Sequence, residues 1–426
     1  MTVWQTTPAL ARAAILAAVG ALAAVTLGEP VVVVLVSPFL VLTLMSVLHR
    51  PTERPRVDNR LEHVSLHEGQ GTRSRLRLTN ADDVEVVTRV AQPVPYVAMR
   101  PAAGALVALA TDNHDLQLSP RRWGRRLLGA EGVALTSRWA GFRFGVVTVS
   151  GQEMFVLPAR APYDSRAEAP APVGLVGAHR SRRNGSGTEF SGIRPFASGD
   201  RLRRIQWRTS LRTGALHVVT TRAEEDSAVL VVLDALVDLG RSGGVDGEAS
   251  SLDLGVRAAS ALAEHHVRRG DRVGLRVLGA HDARLATAGG QRHLRRLQGL
   301  LARTRIERSR LPEGFTLGVP GGTVVYVLSP MLDDGVVTAV ASASQRGVPV
   351  VVVDTLPEDV RMAVAEGTDE ALAELAWRMR QLDRDDLLRH LAATGCPVVP
   401  WRGPGTLDQV LYRLARRAQL PTVRVR

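Results

Sequence analysis

The sequence contains no lysine and one cysteine, Cys396, and only 4% of its 426 residues are aromatic. A single cysteine forms no internal disulfide and offers no second thiolate for a zinc cluster, so nothing requires an oxidising compartment. Without lysine the phosphate-binding loop G-x-x-x-x-G-K-[ST] is excluded, and no G-x-G-x-x-G is present. Nucleotide binding by either loop therefore has no support.

All the positive side-chain charge outside histidine comes from arginine. Lys and Arg together number 54 and Asp and Glu 42, so the formal net charge is 54 − 42 = +12. Residues 178–222 hold ten Arg against Glu189 and Asp200, a net of 10 − 2 = +8. Two thirds of the excess charge thus lies in one short stretch, which we expect to be a joint or a binding surface.

The first fifty residues are apolar and differ from the rest. Two uncharged runs predict transmembrane helices at about 9–28 and 31–48, joined by Gly28-Glu29-Pro30. A cleaved signal peptide is the alternative, but an equally apolar second run follows at once. Arginines lie at both outer ends of this hairpin (1–50), which predicts a multi-pass cell-membrane protein with its soluble part facing the cytoplasm.

The soluble part predicts two folded regions. Short apolar-polar alternation over 57–157 predicts an antiparallel β-sandwich, and an Ala/Pro-rich linker follows at 158–177. Over 226–426, strands alternate with helices, which predicts an α/β doubly wound parallel sheet. We expect strands at 229–233, 272–278, 323–328 and 348–353, and helices at 252–269, 291–304, 335–346 and 369–390. Asp234, Ser329 and Asp354 then lie at the carboxyl ends of strands, where ligands bind in such sheets.

The Arg-rich segment, residues 178–225, carries a motif of rare residues in fixed order. Its members are Gly187, Glu189, Phe190, Arg194, Phe196, Gly199, Asp200, Arg203, Ile205, Trp207, Ser210 and Arg212. The motif is similar to the signature of the domain of unknown function 58 family, with Phe196 where Tyr is usual and Leu211 where Ala is usual. The resemblance extends over nearly the whole chain. It implies a membrane anchor, a von Willebrand factor type A-like α/β domain, and association with MoxR-type AAA+ ATPases in assembling or maturing protein complexes.

Three interpretations of the Arg-rich segment stay open. Ser198 or Asp200 can cap a short helix at 201–208, with Ile205 and Trp207 buried. Arg194, Arg203 and Arg212 would then pair with Glu189, Glu224 and Glu225 in a salt-bridged joint. The second interpretation is a partner-docking surface, since ten Arg exceed the nearby acids. The third is binding of nucleic acid or anionic lipid, because aromatics interleave with Arg.

The resemblance also implies a place for a metal ion. Type A domains hold magnesium with D-x-S-x-S after the first strand, a Thr and a second Asp. Here Asp234 is kept, Asp238 replaces the second Ser, and Leu236 has no oxygen to coordinate. Gln291 and Pro330 stand where Thr and Asp are expected. We therefore expect a degenerate site, no cofactor, and an Asp234 that caps nearby backbone N–H groups.

Candidate catalytic groups are few. His265 and His266 are adjacent rather than four residues apart, so they do not form the metal pair of H-E-x-x-H and are expected at the surface. Asp333-Asp334 and Asp385-Asp386 are expected to be solvated, and Cys396 to be a small core residue.

These observations predict a function without catalysis. We expect an interaction or scaffold protein, an adaptor for a MoxR-type AAA+ ATPase, rather than an enzyme. The alternative is binding of anionic lipid or nucleic acid through the Arg-rich segment. Abundant Ala, Arg, Gly and Val with no Lys favours a high-GC bacterial genome, as in actinobacteria.

Overall fold

The computed structural model describes most of the chain as two compact units. The described residues are 3–159, 184–198, 200–222, 228–279, 282–306, 310–319, 322–360, 367, 369–402 and 406. The first unit comprises Met1–Ala159 with Gly243–Glu248, and the second comprises Arg160–Ser242 with Ala249–Arg426. Most of the predicted linker and the end of the Arg-rich segment, 223–225, lie outside the described residues.

The first unit begins with a short strand and two apolar helices. These elements are β1 (Trp4–Thr6), α1 (Pro8–Leu27) and α2 (Pro30–Leu48). Thr7 caps α1, because its Oγ1 accepts the Leu10 N–H at 3.1 Å, and Gly28 ends the helix at φ 66°. Gly20 lets α2 approach, since a Cβ there would lie 2.1 Å from Val36 Cγ1.

Both helices are long and apolar enough to cross a membrane by length and composition. Only 22% of the apolar window in α1 and 11% of that in α2 is buried, whereas the core helix of a globular protein is mostly buried. The predicted pair of apolar helices is therefore present at the predicted place.

Eleven further strands of the first unit form three sheets. They are β2 (Arg56–Leu61), β3 (Ser65–His67), β4 (Thr72–Thr79), β5 (Val84–Val90), β6 (Val97–Arg100), β7 (Ala105–Leu109), β8 (Leu116–Pro120), β9 (Gly124–Leu127), β10 (Glu131–Ser137), β11 (Phe142–Val149) and β12 (Glu153–Leu157). The sheet orders are β1-β11-β10-β5-β7, β2-β4-β8-β6 and β3-β12-β9.

A buried apolar cluster joins the two larger sheets. Val87, Leu135 and Phe144 from the five-stranded sheet pack with Leu76 and Leu78 from β4. Two features differ from the expected antiparallel strands. Strand β1 was not predicted, and β3 pairs with β12 in parallel because a long connection, not a hairpin turn, separates them.

The second unit starts with a two-stranded antiparallel sheet. Its strands β13 (Asn184–Pro195) and β14 (His217–Arg222) enclose a 3-10 turn at Leu202–Arg204 and the short helix α3 (Trp207–Thr213). This small structure contains most of the described part of the Arg-rich segment.

A six-stranded sheet with helices follows. Its elements are β15 (Ala228–Asp234), α4 (Ser251–Arg268), β16 (Arg272–Leu278), β17 (Ala283–Ala288), α5 (Gln291–Leu301), β18 (Thr323–Ser329), α6 (Asp334–Gln345), β19 (Val350–Asp354), α7 (Glu370–Ala393) and β20 (Val398–Pro400). The order is β17-β16-β15-β18-β19-β20, parallel except for β17 against β16.

Helices cover both faces of this sheet. Val232 packs with Val336 and Val340 of α6, whereas the next residue, Leu233, lies against Gly255 of α4. Successive strand residues point to opposite faces, so α4 and α6 lie on opposite sides. The alternation of strands and helices occupies the predicted intervals within a few residues. The antiparallel edge strand β17 was missed, because its side chains alternate between exposed and half-buried and form no apolar run.

Candidate functional site

The Arg-rich segment forms a hairpin with α3 held against one strand. Ile205 forms an isolated bridge with Val218, and the Gln206 N–H donates to the His217 carbonyl at 2.8 Å. One helical turn later, Ser210 Oγ accepts the His217 N–H at 2.9 Å. Ser210 is 6% exposed, so the motif requires a small residue there because β14 lies against it. These contacts fix the orientation of α3.

Asp200 stabilises the loop rather than a helix end. Its carboxylate accepts two hydrogen bonds from Arg194, at 2.6 and 2.7 Å, and one from the Ala197 N–H at 2.9 Å. The hydrogen bond from Arg194 is the largest cause that lowers the pKa of Asp200. The bidentate pair closes the turn between β13 and the 3-10 turn.

The predicted capped helix at 201–208 is wrong. The chain makes a 3-10 turn and then extends at Ile205 (φ −65°, ψ 127°), because Ile205 bridges to β14. A new helix, α3, begins at Trp207, and neither helical element has a side-chain cap. Ser198 and Asp200 are therefore not helix caps.

The predicted burial of Trp207 is also wrong. Gln206 and Ser210 face β14, so Trp207 and Leu211, each one residue later, turn about 100° away from it. Trp207 is 61% exposed and Leu211 is 82% exposed, while Leu202 of the 3-10 turn is 70% exposed. Ile205 is only partly exposed, as its bridge requires. Three large apolar side chains thus lie on the surface beside arginines.

The described residues test only part of the ion pairing expected in this segment. Arg194 forms an ion pair with Asp200. Arg201, Arg203, Arg208 and Arg212 are exposed and have no ion pair with any residue that the structure describes. Glu224, Glu225 and Gly199 lie outside the described residues, and so do the side chains of Glu189 and Phe190, whose backbone belongs to β13.

A second group of polar residues lies at the carboxyl ends of β15, β18 and β19. Asp234 Oδ2 accepts the Ser329 hydroxyl at 2.6 Å, and Oδ1 accepts the Leu236 N–H at 3.0 Å. Ser329 Oγ in turn accepts the Met331 N–H at 2.8 Å. Asp234 therefore caps backbone as expected. Burial raises its pKa to about 6, against the opposing effect of the Ser329 hydrogen bond.

The other positions that the type A resemblance singled out have other roles here. Asp238 Oδ1 accepts the Ser251 hydroxyl at 3.2 Å and the Leu252 N–H at 3.0 Å, at the first turn of α4. Leu236 is 1% exposed and belongs to the core. Gln291 begins α5 and is exposed.

A buried arginine occupies the region where a cation would be expected. Arg384 of α7, with its side chain 6% exposed, forms an ion pair with Asp354 and donates from Nε to the Pro330 carbonyl at 2.6 Å. Within the described residues, no group of three or more His, Cys, Asp or Glu side chains is placed to hold a metal ion. This donor set does not fit magnesium, which prefers about six oxygen ligands.

Sequence reasoning missed Arg384 because helix position 384 carries no local signal of burial. It also placed His266 wrongly at the surface, whereas its neighbour His265 is partly exposed. His266 is 8% exposed, with Nδ1 2.7 Å from Asp271 Oδ2 and Nε2 2.9 Å from the Tyr326 hydroxyl. Burial is the largest cause that lowers the pKa of His265 to about 4. Their helix packs onto the sheet, where the His266 ring lies against Tyr326 of β18.

The other candidate residues have ordinary structural roles. Cys396 is fully buried in the apolar cluster with α6, and Asp333 caps α6 by accepting the Val336 N–H at 3.1 Å. Asp385 and Asp386 are exposed. A further motif, G-x-S-x-G, occurs at Gly240–Gly244, but it lies in the long loop between β15 and α4. It therefore lacks the sharp strand-to-helix turn that a serine nucleophile requires.

Comparison with known proteins bears on the second unit. No curated protein matches the chain. Outside residues 192–373, the predicted family resemblance stays a prediction. Residues 192–373, from strand β13 through the start of α7, match the family described as Protein of unknown function DUF58.

Proposed function

We propose that this protein is a membrane-anchored scaffold, facing the cytoplasm, that binds a protein partner through the exposed side of α3. We define the α3 patch as Leu202, Trp207, Arg208, Leu211 and Arg212. The observation that carries the proposal is the exposure of Trp207 (61%) and Leu211 (82%), one helical turn apart and flanked by arginines. Trp and Arg are the residues that most often dominate protein interfaces.

The α3 patch is already organised for binding. Gln206 and Ser210 hold α3 on β14, and the Arg194–Asp200 pair fixes the loop before it. Binding of a partner would therefore cost little additional conformational entropy, because the surface is already ordered in the free protein. Large apolar side chains left in water on a fixed element favour an interaction site over a closed joint.

The charge of the patch indicates the chemistry of the partner. Arg208 and Arg212 of the patch, and the neighbouring Arg201 and Arg203, have no acidic partner among the described residues. These arginines therefore favour an acidic surface on the other protein. We propose a MoxR-type AAA+ ATPase as that protein, on the basis of the signature motif. The scaffold would act with the ATPase in assembling or maturing protein complexes, without catalysis of its own.

Two finer features belong to the same proposal. The strand order β17-β16-β15-β18-β19-β20, with helices on both faces and an antiparallel edge strand, supports a doubly wound, von Willebrand factor type A-like domain. Arg50, Arg54, Arg56 and Arg60 follow the second apolar helix, which supports a cytoplasmic soluble part.

The test is co-purification of tagged full-length protein from gently solubilised native membranes, followed by mass spectrometry. The variant Trp207→Ser with Leu211→Ser removes the apolar part of the α3 patch. The matched control is Leu372→Ser with Leu375→Ser on α7, whose side chains are 62% and 55% exposed. We expect the ATPase with the native protein and the control, and its loss with the patch variant. Its absence from the native sample would contradict the proposed partner, and its retention by the patch variant would contradict the proposed surface.

The same exposure of Trp207 among arginines supports a second candidate, binding of nucleic acid or anionic lipid. A stacking aromatic beside unpaired arginines is the composition of a single-strand binding groove. Salt dependence separates the two candidates. For a polyanion, the logarithm of the binding constant falls linearly with the logarithm of the salt concentration, and the slope is set by the number of phosphates neutralised. The affinity of a protein interface with an apolar centre depends less on salt.

A further inference from the structure

A short turn of the first unit lies beside the outer ends of the apolar hairpin. We call it the interfacial turn, Arg138–Trp139–Ala140, between β10 and β11. Thr7, the cap of α1, donates from Oγ1 to the Ala140 carbonyl at 2.7 Å and from N to the Gly141 carbonyl at 3.0 Å. Ser46, in the last turn of α2, is fully buried against Gly141, where a Cβ would lie 2.5 Å from Ser46 Cβ. The interfacial turn thus lies level with both helix ends.

The hairpin and the five-stranded sheet are firmly connected at this level. Strand β1 leads directly into α1 and pairs with β11, with Trp4 opposite Phe144. The Trp4 indole N–H donates to the Glu53 carbonyl at 2.8 Å, just beyond α2. Both chain segments that leave the hairpin are therefore bound to the sheet rather than free to swing.

The backbone of the interfacial turn is strained and places a tryptophan outward. Trp139 and Ala140 have φ values of 63° and 53°, which side chains larger than glycine rarely adopt. The Glu85 carboxylate accepts the Trp139 N–H at 2.9 Å and holds this conformation. Trp139 is 46% exposed. Strain that exposes a large aromatic side chain indicates a functional constraint.

Charged residues around the turn are asymmetrically placed. Arg12 and Arg50 belong to the hairpin, and Arg143 lies on β11 just after the turn; all three are exposed and have no ion pair with a described residue. The Arg50 guanidinium lies 5.8 Å from the centre of the Phe142 ring. On the other side, towards β5, lie Asp82, Asp83 and Glu85, of which Glu85 is occupied by the turn backbone.

The geometry points to a lipid-contacting surface: Trp139 inserts into the headgroup region of an anionic membrane leaflet, and Arg12, Arg50 and Arg143 contact the lipid phosphates. Tryptophan is enriched at this depth because one edge of its ring is polar and the rest apolar. Arginine side chains near helix ends reach the same region. This inference rests on the membrane anchorage in the proposed function. If it holds, the five-stranded sheet contacts the bilayer surface directly, in addition to its covalent connection through the two helices.

The experiment places a polarity-sensitive NBD fluorophore on single cysteines of the full-length protein in lipid nanodiscs. Cys396 is the single cysteine of the sequence, so Cys396→Ala gives a background with no native thiol. The test position is Trp139→Cys. The control is Leu127→Cys, 67% exposed beside Glu153, near the other end of β11. At about 3.4 Å per residue, β11 separates these two levels by roughly 20 Å. Ile15→Cys, in the middle of α1, reports whether the hairpin is in the bilayer.

We expect phosphatidylglycerol-containing nanodiscs with lipids brominated near the headgroup to quench the label at 139 at least twofold more than the label at 127. The label at Ile15 is expected to be quenched by deeper bromines. Quenching at Ile15 but not at 139 would overturn this inference and leave the anchorage intact. No quenching at Ile15 would overturn the anchorage itself, and the inference with it. Equal quenching at 139 in purely zwitterionic nanodiscs would overturn the role of anionic lipid.

Discussion

The carboxyl ends of the sheet strands and the α3 patch treat charge in opposite ways. At the strand ends, the buried Asp234 accepts a hydrogen bond from the buried Ser329, and the partly buried Asp354 pairs with the buried Arg384. In the α3 patch, arginines and Trp207 face solvent without a described partner. A site that satisfies its own polar groups has little left to offer a ligand, whereas exposed apolar and charged groups on a fixed helix remain available. The comparison therefore favours a structural role for the strand ends, and it supports the recognition role proposed for the α3 patch.

The largest expected effect comes from breaking the buried ion pair. Arg384→Met leaves the Asp354 carboxylate in a poorly hydrated place, with the Leu356 N–H still donating to it at 2.9 Å. We expect a loss of about 3–5 kcal/mol in the free energy of unfolding, measured by denaturant titration. Adding Asp354→Asn should restore part of it.

The control for that change is on the same helix. Arg389→Met removes an exposed ion pair with Asp386 and is expected to cost less than about 1 kcal/mol. Equal losses for the two arginine variants would show that Arg384 is not the internal cation of the strand ends.

The next effect is a pH dependence from Asp234. Its pKa in the folded protein is raised to about 6, so the folded state binds the proton more tightly than the unfolded state does. The contribution of Asp234 to the free energy of unfolding is therefore highest below about pH 4. It falls as the pH rises from about 4 to 6 and is lowest above pH 6. Asp234→Asn should remove that fall. The free energy of unfolding of the variant, relative to that of the native protein, should therefore be up to about 3 kcal/mol higher at pH 7.5 than at pH 4. Melting temperatures at both pH values measure it, and a parallel shift at the two would contradict the assignment.

His265 is expected to act in the opposite direction. Its pKa is lowered to about 4, so the unfolded state takes up the proton first as pH falls below about 6.5. The stability contribution is complete above that value and is lost as pH falls towards 4. His265→Gln should make the protein less sensitive to acid over this range, measured by melting temperature in the Asp234→Asn background. An unchanged slope would show that another group is responsible.

The smallest effect on stability is expected in the α3 patch. Trp207→Ser and Leu211→Ser replace exposed side chains, so each should change the free energy of unfolding by about 0.5 kcal/mol or less. Ser210→Ala, three residues from Trp207, is the buried comparison and should cost about 1 kcal/mol, since the His217 N–H loses its acceptor. A decrease of more than about 2 kcal/mol in the free energy of unfolding for Trp207→Ser would mean that this side chain is packed. That result would contradict the proposed docking surface.

Local pattern decided much of what could be predicted. Two uncharged runs were long enough to give two apolar helices, and near-continuous Val runs gave the strands of the six-stranded sheet, because those patterns directly reflect burial. It was also readable that the Leu236 side chain offers no oxygen to a cation, because this follows from the residue type alone.

Tertiary structure decided the partners of individual side chains. Asp200 was expected to cap a helix, but Arg194 on the neighbouring strand binds it bidentately. Trp207 was expected to be buried, but the anchoring of Ser210 on β14 turns it outward.

The sequence by itself determined which segments bury apolar surface, because the period of the hydrophobic pattern is a local property. Only the tertiary structure decided which charges are satisfied inside and which remain outside. Arg384 and Arg212 are both arginines on helices. Arg384 is buried and pairs with Asp354 at the end of β19, whereas Arg212 faces water. That difference depends on residues distant in the chain, and no local pattern contains it.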